Sequence, residues 1–165
     1  MKTNEIHPFG PIYDEQAKVL ILGSFPSVKS REEMFFYAHP QNRFWKVLKA
    51  VTGYEGDIGK VSGKTKMLKE NHIALWNTIA SCEITGSSDL SISSVVVNDL
   101  SVILSRADIR AVFCNGKTSY KLYQKYLENI TGIPAKALPS TSPANASWTL
   151  EKLTGKWKDE LSPYL

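Results

Sequence analysis

Ala17-Lys18-Val19-Leu20-Ile21-Leu22-Gly23-Ser24-Phe25-Pro26-Ser27 is the stretch from which the rest of the chain is read. Its aliphatic run does not alternate with polar residues, which describes a strand covered on both faces, as in a parallel sheet. Gly23 stops the run, and turn formers with small hydroxyl residues follow. Two later runs end in the same way. Ile73-Ala74-Leu75-Trp76-Asn77 passes into Thr78, and Ala111-Val112-Phe113-Cys114-Asn115 passes into Gly116. A shorter strand is expected near Lys136-Ala137-Leu138, followed by the loop Leu138-Pro139-Ser140-Thr141-Ser142-Pro143-Ala144-Asn145.

Helical patterns lie between these runs. Residues Asn42 to Val51 carry Phe44, Trp45, Val47 and Leu48 at helical spacing, with a stop near Gly53. Shorter or less regular helices are expected at Lys64 to Asn71, Val95 to Ala107, Thr118 to Asn129 and Ser147 to Leu161. Gly53 to Lys66 reads as a mobile surface loop and Ser81 to Ser94 as a polar one. Strands alternating with helices predict an α/β fold: a three-layer α/β/α sandwich around about four parallel strands. One domain over residues 1–165 is expected. In such a sheet a ligand sits outside the carboxyl ends of the strands. The early loop after Gly23 and the late loop from Leu138 should therefore close on one crevice.

Composition narrows the function classes. Hydrophobic residues at 42% and charged residues at 22% describe a globular chain. A net charge of +4 suits a nucleic-acid partner, although many cytoplasmic enzymes carry a similar excess. Met1-Lys2-Thr3-Asn4-Glu5 has no apolar leader, and no apolar run approaches the roughly 20 residues that span a bilayer. A cytoplasmic protein without membrane association is expected. Cys82 and Cys114 lack metal-ligand spacing and cannot supply four thiolates for an iron–sulfur cluster. They read as reduced core thiols, and neither metal nor cofactor is expected.

The crevice would hold amides, hydroxyls and aromatic rings. Asn42, Asn77, Asn115 and Asn145 both donate and accept; Ser24, Ser27, Ser140 and Ser142 add hydroxyls. Phe35, Phe36, Tyr37, Phe44 and Trp45 supply flat apolar faces, and His39 a group able to titrate near neutrality. Amides read the edge of a heterocycle and aromatics stack on its face, which is a chemistry of base recognition. Each group also has a purely structural use. Asn77 and Asn115 could be turn residues, and Asn42 a helix cap. His39 and the serines could hold turns, Trp45 could be core, and Lys29 and Arg31 could be solvated.

On these segments the chain resembles the uracil-DNA glycosylase superfamily, over nearly its whole length. Ala38-His39-Pro40-Gln41-Asn42-Arg43-Phe44-Trp45 is the most specific piece. With Gly23-Ser24-Phe25-Pro26, Leu75-Trp76-Asn77-Thr78-Ile79-Ala80-Ser81-Cys82-Glu83 and the late loop, it looks like the DNA-deoxyinosine, or hypoxanthine-DNA, branch. The resemblance implies a glycosylase of base excision repair, acting on DNA that contains deaminated bases, chiefly deoxyinosine. No lysine is evidently poised to form a Schiff base, so a monofunctional enzyme is expected, and a monomer, as is typical of enzymes that wrap a duplex. It implies that Asn42 is the catalytic amide. Gly23, Ser24, Phe25, Tyr37, His39, Asn77 and Asn115 would hold the nucleotide, with Tyr37 stacking on the base and Asn115 reading its edge. Ser27, Ser140, Ser142, Ala144 and Asn145 would meet the DNA. Three positions depart from the wider superfamily. Phe25 stands where many members carry a water-positioning Asp or Asn, Ser140 where the late motif often has His or Asn, and Ala144 where a bulky wedge often sits. Three rival readings stay open: a uracil or mismatch glycosylase of the same fold, a lesion-binding module that does not cut, and a serine hydrolase. The last lacks a Gly-x-Ser-x-Gly elbow.

Overall fold

The computed structural model describes residues 1–165. In chain order its elements are β1 (Thr3–Ile6), β2 (Val19–Gly23), α1 (Val28–Glu33), α2 (Phe44–Thr52), α3 (Val61–Glu70), β3 (Ile73–Asn77), β4 (Ile79–Ile84), β5 (Ser93–Val97), α4 (Ser101–Leu104), β6 (Ala111–Asn115), α5 (Lys117–Tyr126), α6 (Glu128–Thr131), β7 (Ala135–Leu138) and α7 (Leu150–Leu161). Single 3-10 turns lie at Asp89–Ser91 and Ser162–Tyr164.

The expected parallel sheet is present, with order β3-β2-β6-β7. Ile21 of β2 faces Leu75 of β3 on one side and Phe113 of β6 on the other. Val19, Leu20, Ile21 and Leu22 have no exposed surface. Successive strand residues point to opposite faces, so both faces of the sheet are covered by helices. The chain leaves β2 for β3 on one side and returns to β6 on the other. The carboxyl end of β2 is thus the place where the strand order reverses, the position at which such sheets open a crevice.

The helix after the first motif forms as its spacing predicts. Phe44, Trp45, Val47, Leu48 and Val51 are the buried face of α2, and Gly53, at φ 70°, ends it with a left-handed cap. The Phe44 ring meets Trp157 of α7 edge-on, with centroids 5.9 Å apart. Trp45 is core: its indole N–H donates to the Phe36 carbonyl at 3.0 Å. Cys82 and Cys114 are buried free thiols, as expected, and burial pushes the Cys114 thiol up to about 12. No helix is long and apolar enough to cross a membrane.

Five local expectations need correction. Val95 to Ala107 is not a helix. Ser93–Val97 is strand β5 and only Ser101–Leu104 is helical. The run Val95-Val96-Val97 is β-branched, which favours a pleated strand over a helix. Ser81 to Ser94 is not wholly loop, since β4 continues to Ile84 and β5 begins at Ser93. These two strands and β1 make a second, antiparallel sheet of order β1-β4-β5 that the sequence reading did not anticipate. The helix expected from Lys64 begins at Val61, inside the stretch read as loop; a Cβ at Gly63 would overlap the Asp57 carbonyl, so glycine permits that packing. The helix expected from Thr118 to Asn129 is split into α5 and α6, and the closing helix starts at Leu150 behind a Thr149 cap.

Thr78 joins the two sheets. Its backbone N–H donates to the Gly23 carbonyl at 2.8 Å, and its own carbonyl accepts from Asn98 at 2.8 Å. Its hydroxyl lies 2.9 Å from that of Ser119, which donates to the Leu22 carbonyl at 2.9 Å. Every polar group of this buried crossing thus has a partner.

Candidate active site

The last residues of the four parallel strands, Gly23, Asn77, Asn115 and Leu138, line one cleft of about 1120 Å³. All thirteen residues singled out from the sequence border it: Gly23, Ser24, Phe25, Ser27, Tyr37, His39, Asn42, Asn77, Asn115, Ser140, Ser142, Ala144 and Asn145. Of the aromatic faces, Phe36 and Tyr37 reach the cleft, whereas Phe35, Phe44 and Trp45 do not line it. The two lysines that do, Lys117 and Lys156, had not been singled out.

Asn42 precedes α2, and its Oδ1 is doubly engaged. It accepts from the Phe44 backbone N–H at 3.0 Å and from the Thr141 hydroxyl at 2.9 Å. The backbone donor fixes which side-chain atom is the oxygen. Both acceptor sites of Oδ1 are filled, so Asn42 offers Nδ2, a donor, to the cleft. Asn115 is also engaged. Its Nδ2 donates to Thr141 Oγ1 at 2.9 Å, and its Oδ1 accepts from the Thr141 N–H at 3.0 Å. Thr141, wholly buried, therefore relays Asn115 to Asn42.

Arg43 holds the late loop over this network. Its guanidinium donates to the carbonyls of Thr141 (3.3 Å), Ser142 (2.7 Å) and Asn145 (3.1 Å), and to that of Trp148. No carboxylate competes, so one planar cation gathers four carbonyls of a single loop. Within the loop, Ser140 Oγ accepts from the Ser142 N–H (3.1 Å), Ser142 Oγ from the Ala144 N–H (3.2 Å), and Asn145 donates to the Ser140 carbonyl (2.9 Å). Both serine hydroxyls keep a proton to donate. Pro143 and Ala144 form the exposed tip.

On the other wall, Tyr37 has φ 51° and stacks on Phe44, with ring centroids 4.1 Å apart and planes at 18°. Its hydroxyl is buried without a hydrogen-bond partner. Burial pushes the phenol well above the ordinary tyrosine value. A Cβ at Gly23 would lie 2.7 Å from that hydroxyl and 2.7 Å from Asn77 Nδ2, so only glycine lets these groups close on the strand end. Asn77 Oδ1 is held at 2.8 Å by His7 Nε2. His7 Nδ1 accepts from the Phe9 N–H at 3.4 Å, which puts the proton on Nε2 and makes His7 the donor to Asn77. Asn77 thus also turns Nδ2 to the cleft. Burial lowers the His7 pKa.

The remaining residues have local duties. His39 Nδ1 accepts from the Gln41 N–H at 3.1 Å, and Ser27 caps α1. Phe25 packs with Ile79, Cys82 and Ile84. Ser24 donates to both carboxylate oxygens of Asp89, at 2.9 and 3.0 Å. The cleft walls take this carboxyl out of water and push its pKa up, against the opposing effect of Ser24. Sequence reasoning missed His7, Arg43, Thr141 and Asp89. Arg43 and Thr141 lay inside the quoted motifs; nothing local marks the other two.

Comparison with known proteins meets this geometry. The family model described as the uracil DNA glycosylase superfamily matches residues 11–165. The chain belongs to the uracil DNA glycosylase superfamily. Two curated relatives, from Methanosarcina barkeri and Methanosarcina acetivorans, are each named hypoxanthine DNA glycosylase. Each is 33% identical over 138 residues, which is 83% of this chain and 86% of the relative. This member of the superfamily is therefore a homologue of hypoxanthine DNA glycosylases. Its fold is similar to the solution NMR structure of a Methanosarcina acetivorans protein provisionally named a uracil DNA glycosylase. The TM-score is 0.76 at 29% identity, over 92% of this chain and 95% of that one.

Proposed function

We propose that this superfamily member is a single-domain, monofunctional DNA glycosylase that removes hypoxanthine from DNA. The observation that carries the reading is the pair of carboxamides, Asn42 and Asn77, whose oxygens are held by protein donors so that each has Nδ2 to offer to the cleft that Tyr37 also lines. A base inside a duplex cannot reach such a cleft, so the nucleotide must leave the stack at a cost of a few kcal/mol, about least at a weakened pair. Tyr37 is backed by Phe44 on one face and can stack the base on the other, worth roughly 1–3 kcal/mol. Hypoxanthine carries O6, an acceptor, where adenine carries an amine. Inward-facing amide donors and the unpaired Tyr37 hydroxyl match the first and leave the second unpaired.

In the reaction the C1′–N9 bond breaks, its electrons leave with the base, and water oxygen bonds to C1′. The water proton passes to solvent and the base takes up one proton. Asn42 cannot accept that proton, because an amide is not basic and its oxygen is already occupied. Its Nδ2 can orient the water or stabilise negative charge on the departing base, so acceleration rests on positioning and fixed dipoles. Phe25 leaves no carboxylate or amide at the position from which many superfamily members hold water. Ser140 and Ser142 hydroxyls, with Lys117 and Lys156, would meet the phosphates, and the substrate would be DNA bearing deaminated bases.

The test is cleavage of labelled duplexes carrying one hypoxanthine, uracil, xanthine or normal base, with alkali added afterwards. Nicking of the hypoxanthine strand only after alkali is expected, with Asn42→Ala folded but at least about a hundredfold slower. Preference for uracil would make it a uracil glycosylase of the same fold. No abasic site with any base would leave a lesion-binding module.

A further inference from the structure

Leu90 lies on the lip of the cleft and is 99% exposed. Among the residues that line the cleft it is the only large apolar side chain left open to water. Full exposure of a leucine costs free energy, and a mobile loop would relieve it by folding the side chain back. The β4–β5 turn prevents this. Asp89 is held by the Ser24 hydroxyl at 2.9 and 3.0 Å, the Val28 N–H donates to Ser87 Oγ at 2.9 Å, and Arg31 reaches the Gly86 carbonyl at 3.2 Å. Ser91 locks the turn from inside, accepting from the Thr85 N–H at 2.8 Å and donating to the Ser88 carbonyl at 2.7 Å. The loop is tied at three points to the segment after β2 and still presents Leu90 to solvent.

We infer that Leu90 is a wedge that enters the base stack of duplex DNA. The inference rests on the reading that the cleft takes a flipped nucleotide. Extrusion leaves a gap between two base pairs, and an apolar side chain that fills it offsets the lost stacking. The late-loop tip carries only Pro143 and Ala144, and an alanine methyl is too small to fill such a gap. A leucine on a rigid 3-10 turn at the mouth of the same cleft supplies the bulk. Its neighbours Ser87 and Ser88 suit the flanking backbone. The β4–β5 turn, which belongs to the second sheet, is thereby a DNA-contacting element.

Two arms test this. In the first, wild type and Leu90→Ala are titrated onto a duplex with a stable abasic analogue flanked by 2-aminopurine. Leu90→Ala is expected to bind roughly tenfold more weakly and to lose the fluorescence change that insertion beside 2-aminopurine produces. Equal affinity and equal signal overturn the proposal. In the second, hypoxanthine excision is compared in duplex and single-stranded substrates. The Leu90→Ala loss is expected to be roughly tenfold greater on the duplex, with Leu90→Phe restoring most of it. An equal loss on both substrates overturns the wedge, since a single strand has no gap to fill. If wild type excises no base, the proposed function falls, while the abasic-duplex arm still decides the role of Leu90.

Discussion

Arg43→Lys asks whether one guanidinium latches the late loop. The substitution keeps the charge and removes the fork. Arginine reaches the carbonyls of Thr141, Ser142, Asn145 and Trp148 from three nitrogens spread over a plane. Lysine has one nitrogen on a flexible stem and can satisfy one or two of them. At least two charge-assisted bonds are lost, each worth roughly 1.5–3 kcal/mol. Water reaches this half-buried site and recovers part of that, so the net loss is about 3 kcal/mol. Because the bonds join two loops, the loss should appear as local opening while the sheet stays intact.

Hydrogen exchange reads this directly. The Thr141 N–H is held by Asn115 Oδ1 and the Asn145 N–H by the Ser142 carbonyl. About 3 kcal/mol should speed both by roughly a hundredfold, with the amides of β2 and β6 unaffected. Excision should fall as well, because Asn42 Oδ1 loses the Thr141 hydroxyl that helps to aim it. Unchanged exchange at Thr141 would refute the latch. Equal acceleration at every amide would refute it too, by making Arg43 a general stabiliser.

Two further predictions concern the opposite wall. Tyr37→Phe removes a buried hydroxyl that has no partner, so the free protein should gain about 1 kcal/mol and its Tm should rise by about 2–4 °C; a fall would mean that the hydroxyl is paired before DNA binds. Burial holds the folded pKa of His7 below 6.5, so the unfolded chain takes the proton first as pH drops. The contribution of His7 to stability is then whole above about pH 6.5 and declines below it until the folded imidazole also protonates. Titration of His7 by NMR in the folded protein at or above 6.5 would refute this.

The parallel sheet was legible because a strand buried on both faces leaves an unbroken apolar signature, and Val19–Leu22, Ile73–Trp76 and Ala111–Cys114 all carry it. The second sheet carries no such signature. Thr3-Asn4-Glu5-Ile6 is short and mostly exposed at a sheet edge, and its pairing with β4 is set across the chain, Thr3 opposite Ile84. Ser93–Val97 does alternate in burial, but a following short helix blurred its period with that of a longer helix. The consequence is functional as well as topological, since the turn that offers Leu90 exists only because β4 and β5 pair.

Within the cleft, residues at strand ends and in the two loops could be placed from sequence, because the topology alone brings those ends together. Their hydrogen-bond duties could not, because the partners are remote: His7 lies 70 residues from Asn77, and Thr141 lies 99 from Asn42. The competing readings of Asn42 as a cap and as a catalytic amide turn out to be one arrangement. The Phe44 N–H takes the amide oxygen, as a cap would, and the Thr141 hydroxyl takes its second acceptor site. The capping bond therefore leaves Nδ2 as the only group Asn42 can give to a ligand. Asn77 is oriented by another route, with His7 holding its oxygen through one bond and Nδ2 turned toward the Gly23 strand end. Two donor-facing amides suit a reaction that develops negative charge on a departing base, and neither amide can take a proton. On that argument Asn42→Asp, which replaces the inward donor with a charged acceptor, should fail as completely as Asn42→Ala.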